Sequence, residues 1–240
     1  MELGFDSGLS VCSECSVGNT WTEQLIHFVD FEGSIASGIL EYGVVTLRGT
    51  EVVSTQTRLC RAIGRIRAED AAIHGLDAAT VAQHAPFTAD FEAFAQWRET
   101  GPLAAHFANA ENTLVKSAWP YPRTSPDFAR PGQAVTEWGP WIDTGRLYPQ
   151  LYPSLNSAKL AEVVVVFGLQ GQLDELAERH CPPDRRRYHA ALYDALAGAL
   201  LLTRLAAEPS LADQSCAWLL EMSTLDADKR AALRQGGLFD

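Results

Sequence analysis

The stretch Ile26-His27-Phe28-Val29-Asp30-Phe31-Glu32-Gly33-Ser34 decides the fold, because it is an apolar run that carries two carboxylates two residues apart. Side chains alternate between the two faces of a β-strand, so Asp30 and Glu32 are expected to point to the same side. Repulsion and desolvation oppose such a pair, and a bound divalent cation relieves both. The stretch therefore predicts a strand that carries half of a metal site, although two acids that simply reach solvent at a strand end fit it equally well.

The composition predicts a globular protein with a sizeable core, because 47% of the 240 residues are apolar and 20% are charged. No apolar run reaches the ~18 residues of a membrane span, and the first residues lack a basic region followed by an apolar stretch. We therefore expect a cytoplasmic protein with no membrane partner. The net charge of −11 disfavours a broad surface that coats nucleic acid, so any such contact must be local.

The five cysteines are an odd number without dense spacing, which disfavours a disulfide framework. Cys12 and Cys15 form a C-x-x-C pair that His180 and Cys181 could complete as a four-ligand zinc site. The second half of that set lacks zinc-finger spacing, so free thiols are the favoured interpretation. The role of the Cys12/Cys15 pair stays open.

Local composition divides the chain into three parts. Residues 1–24 have no clear period and are predicted to be an N-terminal extension, residues 25–222 the domain, and residues 223–240 a C-terminal tail. Within the domain, residues 119–140 are rich in Pro, Gly and aromatic residues and predict an irregular insertion. The strongest helical pattern runs from Tyr188 to Leu205, ending before a proline.

Strand patterns begin with the opening stretch. Residues 26–34, 39–47 and 52–57 are β-rich and separated by short turns, which predicts an antiparallel meander. A short apolar run at residues 103–107 predicts another strand that leads directly into a helix. Glu111 then lies near the carboxyl end of that strand, the edge where open α/β sheets bind ligands.

His189 and Asp194 are five residues apart at the start of the longest predicted helix. Inside a helix that spacing separates the two side chains by about 140°, so they are not stacked neighbours. Both can reach one site if His189 lies just before the helix begins. A solvent-facing histidine and a surface acid are the simpler alternative on these two residues alone.

Taken in order along residues 26–205, these segments resemble the DEDDh (DnaQ-like) 3′→5′ exonucleases, the family that includes the proofreading subunit of the bacterial replicative polymerase and RNase T. The D-x-E, H-N-A-x-F-D and H-x-x-x-x-D motifs of that family are matched, in order, by Asp30-Phe31-Glu32, His106-Phe107-Ala108-Asn109-Ala110-Glu111, and His189 with Asp194. Its I-H-G-I and I-D-T segments are matched by Ile73-His74-Gly75-Leu76 and Ile142-Asp143-Thr144. Each motif is short, and the ordered set is specific.

Two positions depart from the family pattern. Glu111 stands where the family usually has Asp, and Phe107 stands at its Asn position. Glutamate keeps the charge but is one methylene longer, so the resemblance implies displaced or indirect metal coordination there. Glu111, together with the clamp-like C-terminal tail described below, suggests as an alternative a catalytically impaired exonuclease fold that serves as an interaction module.

The resemblance implies a ribonuclease H-like α/β fold, a mixed five-stranded sheet flanked by helices. It also implies metal-dependent 3′→5′ hydrolysis of phosphodiester bonds at single-stranded 3′ ends, with DNA favoured and a proofreading or repair role. An RNA-trimming exoribonuclease is the enzyme alternative, because recognition of the 2′-hydroxyl depends on pocket shape. His74 and Asp143 are expected to be structural.

The resemblance also assigns roles within the site. Carboxylate oxygens suit two Mg²⁺ or Mn²⁺ ions, and the implied ligands are Asp30, Glu32, Glu111 and Asp194. Histidine titrates near neutral pH, so His189 is the implied general base. The resemblance also implies contacts to the substrate: the arginine run would hold a phosphate, aromatic rings would stack on bases, and neighbouring motif residues would contribute further contacts. The implied substrate-binding residues are Arg187, Tyr188, Phe31, Gly33, Ser34 and His106.

The C-terminal residues Gln235-Gly236-Gly237-Leu238-Phe239-Asp240 resemble the Q-x-x-L-F peptide by which bacterial replication and repair proteins dock on the sliding clamp. The second position is Gly rather than the usual Leu. A peptide on a free tail suits recognition in a groove. A sliding clamp is therefore a predicted partner through Gln235–Phe239.

Overall fold

A computed structural model describes residues 20–226, 228, 230 and 231. The strands are β1 Leu25–Ser34, β2 Gly38–Arg48, β3 Glu51–Leu59, β4 Leu103–Ala105, β5 Ser125–Pro126, β6 Ala134–Val135 and β7 Ile142–Asp143. The helices are α1 Ala68–His74, α2 Ala78–Val81, α3 Phe91–Thr100, α4 Asn109–Ala118, α5 Thr144–Leu151, α6 Leu160–Val166, α7 Gln170–His180, α8 Ala191–Ala206, α9 Pro209–Ala212 and α10 Cys216–Met222. Helix α8 begins at Ala191, three residues after the predicted Tyr188.

Five strands form one mixed sheet in the order β3-β2-β1-β4-β7. The first three are antiparallel, as predicted, because short turns join them and reverse the direction of the chain. Strands β4 and β7 add in parallel beside β1, with Phe28 opposite Ala104 and Ala105 opposite Asp143. Parallel neighbours need long crossovers, and helices supply them. The predicted fold class, a mixed five-stranded sheet flanked by helices, is confirmed.

Helix α8 packs across the face of β1 and β2, and it is apolar on nearly its whole circumference, as expected for an enclosed helix. Two glycines permit the close approach. A Cβ on Gly43 would collide with the backbone of Ala191, and one on Gly198 would collide with the ring of Phe28. The contact at Gly43 brings the start of α8 against β2, next to Asp30 of the D-x-E motif on the neighbouring strand.

The opposite face of the sheet carries an aromatic cluster. Phe31 and Tyr42 pack there against Phe87 and Phe94 of the following helical segments, with ring centroids 5.1–5.9 Å apart. Residues 119–140 form the irregular insertion that was predicted, with the small β5–β6 hairpin inside it. The insertion covers this cluster. One face of β1 therefore packs in the hydrophobic core, and the other face carries the two acids.

The folded body extends beyond both predicted domain boundaries. Trp21 is buried, and its indole Nε1 donates to the carbonyl of Leu211 at 2.7 Å, so residues 20–24 belong to the body and not to an extension. At the other end, the buried Ser223 hydroxyl accepts the N–H of Asp143 at 2.9 Å. The predicted clamp peptide, Gln235–Phe239, lies outside the described residues.

The described part of the chain contains no helix long and apolar enough to cross a bilayer. Its three cysteines, Cys60, Cys181 and Cys216, are buried free thiols. Cys12 and Cys15 lie outside the described residues.

Candidate active site

Strand β1 carries Asp30 and Glu32 on the face that α8 covers. The strand ends in a β-bulge between Glu32 and Gly33, where Gly33 adopts a φ of 131° that a side chain would make unfavourable. The next residue, Ser34, closes the turn, because its N–H donates to the hydroxyl of Ser37 at 3.0 Å. Gly33 and Ser34 therefore build the backbone beside the two acids.

Asp194 lies in the first turn of α8, and His189 lies two residues before the helix. His189 thus lies just before the helix begins, which is the position expected to let His189 and Asp194 reach one site. His189 is exposed and has a left-handed backbone with φ 61°, and its N–H donates to Asp194 Oδ2 at 3.0 Å. One ligand atom from each of Glu32, His189 and Asp194 lies within 4.8 Å of the others.

Glu111 enters the site from the first turn of α4. Asp143 holds that turn, because its two carboxylate oxygens accept the N–H groups of Phe107 and Ala108 at 2.9 and 3.1 Å. Phe107 has a φ of 62°, so the chain reverses sharply between β4 and α4. The expected structural role of Asp143 is confirmed. Glu111 is only 7% exposed, and its Oε2 has no hydrogen-bond partner among the residues that the structure describes.

The four acids disturb one another's ionisation, which shows that they converge. Burial raises the pKa of Glu32 to about 8, with repulsion from Asp194 and Glu41 adding to it. Burial also raises the pKa of Asp194 to about 7, against the hydrogen bond from the His189 backbone. The pKa values of Asp30 and Glu111 are raised too, first by burial and then by the charges of the other acids.

The residues present fit a divalent cation. Glu111 Oε2 and Asp194 Oδ1 are buried oxygens without a hydrogen-bond partner in the described part of the chain, and carboxylate oxygens are the preferred ligands of Mg²⁺ and Mn²⁺. A cation bound among these acids would offset the repulsion that contributes to their raised pKa values. The site can therefore hold cationic charge, with His189 exposed at its mouth.

Sequence reasoning missed a buried ion pair that lies next to this acid cluster. Glu41 lies opposite Glu32 on β2 and forms a buried ion pair with Arg185. An acid in the middle of the apolar run of β2 was a usable signal for Glu41. Nothing in the sequence distinguishes Arg185 from the arginines that follow it.

Two of the predicted substrate contacts are corrected by the structure. The ring of Phe31 is buried in the aromatic cluster on the opposite face of the sheet and cannot stack on a base. Both ring nitrogens of His106 are occupied, by the hydroxyl of Thr144 at 2.9 Å and the carbonyl of Ala158 at 2.7 Å. Burial lowers the pKa of His106 to about 4, so its ring is neutral and serves the fold.

The arginine run separates into different environments. Arg187 is exposed, donates to the carbonyl of His74 at 3.2 Å, and lies close enough to lower the pKa of Glu32. Arg186 points away and donates to the carbonyl of Glu178 at 2.9 Å. Tyr188 is half-buried against Tyr193, with ring centroids 5.1 Å apart. Arg187 therefore lies beside the acids as an exposed cationic group.

No protein-family model matches the chain, and no curated protein matches it at a significant level. Solved structures do match. Exonuclease X in complex with 5′ overhanging duplex DNA aligns at a TM-score of 0.53 and 20% identity, over 87% of this chain and 98% of that chain. The nuclease domain of 3′hExo, a DEDDh family member, bound to rAMP, aligns at 0.54 and 15%, over 78% and 93%.

The Escherichia coli ExoI–ssDNA complex in its zinc-bound form aligns at a TM-score of 0.51 and 12% identity. That alignment covers 80% of this chain and 42% of the larger ExoI chain. Identities this low establish the architecture and leave activity to the residues of the site. The chain has the ribonuclease H-like fold that these exonucleases share.

Proposed function

We propose that this chain is a metal-dependent 3′→5′ exonuclease that hydrolyses phosphodiester bonds at single-stranded 3′ ends of nucleic acid. The observation that carries the proposal is the cluster of Glu32, Asp194 and the exposed His189, with one ligand atom of each within 4.8 Å of the others, beside the buried acids Asp30 and Glu111. A purely structural cluster would pair its acids with cations or hydrogen-bond donors, whereas Glu111 Oε2 and Asp194 Oδ1 are buried and have no hydrogen-bond partner among residues 20–226, 228, 230 and 231. The similarity of fold to solved exonucleases supports the same activity.

The metal ligands of the proposal are Asp30, Glu32, Glu111 and Asp194. Divalent ions bound there would supply an activated water and stabilise charge on the leaving oxygen. The pKa values of about 8 for Glu32 and about 7 for Asp194 mean that the free protein holds protons on these two carboxyls near neutral pH, so cation binding releases protons. Glu111 supports an active enzyme over an impaired one, because its buried oxygen is unpartnered and its charge repels Asp30.

His189 is the proposed general base. Its side chain is exposed at the mouth of the acid cluster, and one ring nitrogen lies within 4.8 Å of carboxylate oxygens of Glu32 and Asp194. A ring nitrogen in that position can accept the proton of the attacking water. Substitution of His189 by Ala removes the acceptor and leaves all four acids in place.

Arg187 is the proposed phosphate contact. It is an exposed cation next to Glu32 in a chain of net charge −11, so it offers local attraction to the substrate backbone. Gly33 and Ser34 contribute backbone at the same edge, and Tyr188 keeps its place as a candidate stacking ring. Phe31 and His106 are left out, since neither side chain is available.

DNA is the favoured polymer, with a proofreading or repair role, and RNA is the alternative. The similar structures contain duplex DNA, single-stranded DNA and rAMP, so both polymers must be tested. The assay uses 5′-labelled single-stranded DNA and RNA of one sequence, each with Mg²⁺, Mn²⁺ or EDTA. We expect a ladder that shortens from the 3′ end and disappears with EDTA.

A matched pair of variants controls the assay. Asp194→Asn removes one acid of the cluster and is expected to abolish the ladder. Asp184→Asn removes an exposed acid ten residues upstream and should leave it intact. Cleavage that persists in EDTA, or an Asp194→Asn variant as active as the wild type, would exclude the proposed site.

A further inference from the structure

Arg185 is a buried arginine that reaches three separate elements. Its Nη1 donates to the carbonyl of His74 at the end of α1 at 2.7 Å. Its Nε donates to Glu41 Oε1 on β2 at 3.2 Å, and its Nη2 pairs with the other carboxylate oxygen. The same Nη2 donates to the carbonyl of His189 at 3.3 Å. A planar fork with several donors suits this bridging task, and lysine cannot reproduce it.

Glu41 holds the other side of the same loop. It lies opposite Glu32 on the face that α8 covers, but unlike the four acids it has a cationic partner. Its Oε2 also accepts the N–H of Ala191, the first residue of α8, at 3.2 Å. A carboxylate is favourable at that end of a helix, where N–H groups lack partners within the helix.

His189 thus lies in a loop that is held at three points. Its N–H donates to Asp194, its carbonyl accepts from Arg185, and the N–H two residues later donates to Glu41. Its left-handed φ of 61° is unfavourable for a residue other than glycine and persists only where the surroundings enforce it. The pair Glu41–Arg185 supplies two of the three contacts.

We infer that Glu41 and Arg185 are positioning residues, which hold the backbone on both sides of His189 so that its imidazole faces Glu32 and Asp194. The inference rests on the proposed function, because it assigns the pair a role in the proton transfer of that reaction. Neither side chain is offered as a contact to substrate or to a metal ion. The positioning acts through the loop that carries His189, whereas on the pKa values of Glu32 and Asp194 the two charges act in opposite directions, Glu41 raising them and Arg185 lowering them.

The test must separate positioning from stability. Removal of one partner leaves a buried charge unpaired, which destabilises a fold whatever the role of the pair. We therefore replace both, as Glu41→Met with Arg185→Met, so that neither charge of the pair is left buried without the other. Arg186→Gln serves as the control, since Arg186 is exposed and bonds only carbonyls of the preceding segment.

A double-mutant cycle with His189→Ala measures whether the pair acts through His189. In the wild-type background we expect the double replacement to lower kcat on single-stranded oligonucleotide with Mg²⁺ by ~10²-fold, with KM and melting temperature close to wild type. In the His189→Ala background the same replacement should change kcat little, because the group that it positions is gone. An equal loss in both backgrounds, or no loss in either, would overturn the inference.

A second readout does not depend on activity. In protein with labelled histidine, the ring resonance of His189 is identified by its absence from His189→Ala. It should shift when the pair is replaced and stay unchanged in Arg186→Gln. An unchanged resonance refutes the positioning role even in an active enzyme. If the resonance moves but the wild type cuts neither DNA nor RNA, the proposed function fails and the pair still positions His189.

Discussion

Removal of divalent cations is expected to destabilise this protein increasingly as pH rises from 6.5 to 8. Glu32 has a pKa of about 8 in the fold, against an ordinary value of 4.5. Between those values the unfolded chain releases the proton and the folded chain keeps it, so the folded state binds more protons and its stability falls with pH. A bound cation requires the ionised carboxylates, so it stabilises the fold most at the alkaline end.

The pH range of this prediction begins at 6.5, because below that pH the buried histidines change the stability of the fold in the opposite direction. Burial lowers the pKa of His27 and of His106 from 6.5 to about 4, so their contribution to stability grows with pH and is complete near 6.5. Above pH 6.5 the acids with raised pKa values dominate the pH dependence of stability. Each pH unit corresponds to ~1.36 kcal/mol for one group, which gives roughly 2 kcal/mol for Glu32 alone between pH 6.5 and 8.

The assay is thermal unfolding in EDTA and in saturating Mg²⁺ at several pH values in that window. For a chain of this size ~1 kcal/mol shifts Tm by about 2–4 °C, so the Tm in EDTA should fall by roughly 4–8 °C and Mg²⁺ should reverse the fall. Glu32→Gln is the control, because an amide does not titrate and removes one repelling charge. Its Tm in EDTA at pH 8 should exceed that of the wild type. A wild-type Tm in EDTA that is flat or rises with pH would refute the clustering of raised pKa values.

Three further predictions concern single features of the chain. His189→Ala should lower turnover by ~10²-fold or more while the stabilisation by Mg²⁺ stays, as measured by single-turnover cleavage and melting in parallel. Glu111→Gln should lower turnover and also weaken the Mg²⁺ stabilisation, which isothermal titration with Mn²⁺ measures directly. If these two variants prove indistinguishable, the division into base and ligand is wrong. Deletion of residues 235–240 should abolish binding to a sliding clamp while exonuclease activity on single strands is retained; equal clamp affinity of both forms would remove that partner.

Local patterns were sufficient for much of the fold. The meander of β1, β2 and β3 depends on strand alternation and short turns, which are properties of neighbouring residues. The same alternation of side chains was sufficient to predict that Phe31 lies away from the site. If Asp30 and Glu32 share one face of the strand, Phe31 must point to the other, and the structure has it there in the aromatic cluster.

Other features could not be predicted because they join distant parts of the chain. Glu41 and Arg185 are 144 residues apart, and a run of three arginines does not tell which one is buried. Nor does His106 reveal that a hydroxyl and a carbonyl occupy both of its ring nitrogens. Strict helical spacing would also have separated His189 from Asp194; the left-handed turn before Ala191 brings them together.

Each motif segment of the site joins its acid to an unusual backbone turn. Gly33 has a φ of 131° beside Glu32, Phe107 a φ of 62° before Glu111, and His189 a φ of 61° before Asp194. The acids repel one another, as their raised pKa values indicate, so a compliant backbone would let them move apart.

Hydrogen bonds from outside the acid cluster hold all three turns. Ser37 fixes the first turn, Asp143 the second, and Glu41 with Arg185 the third. These contacts resist the repulsion before any cation arrives. The turn that carries Glu111 is therefore set by Asp143 and does not depend on the length of the acidic side chain that follows it.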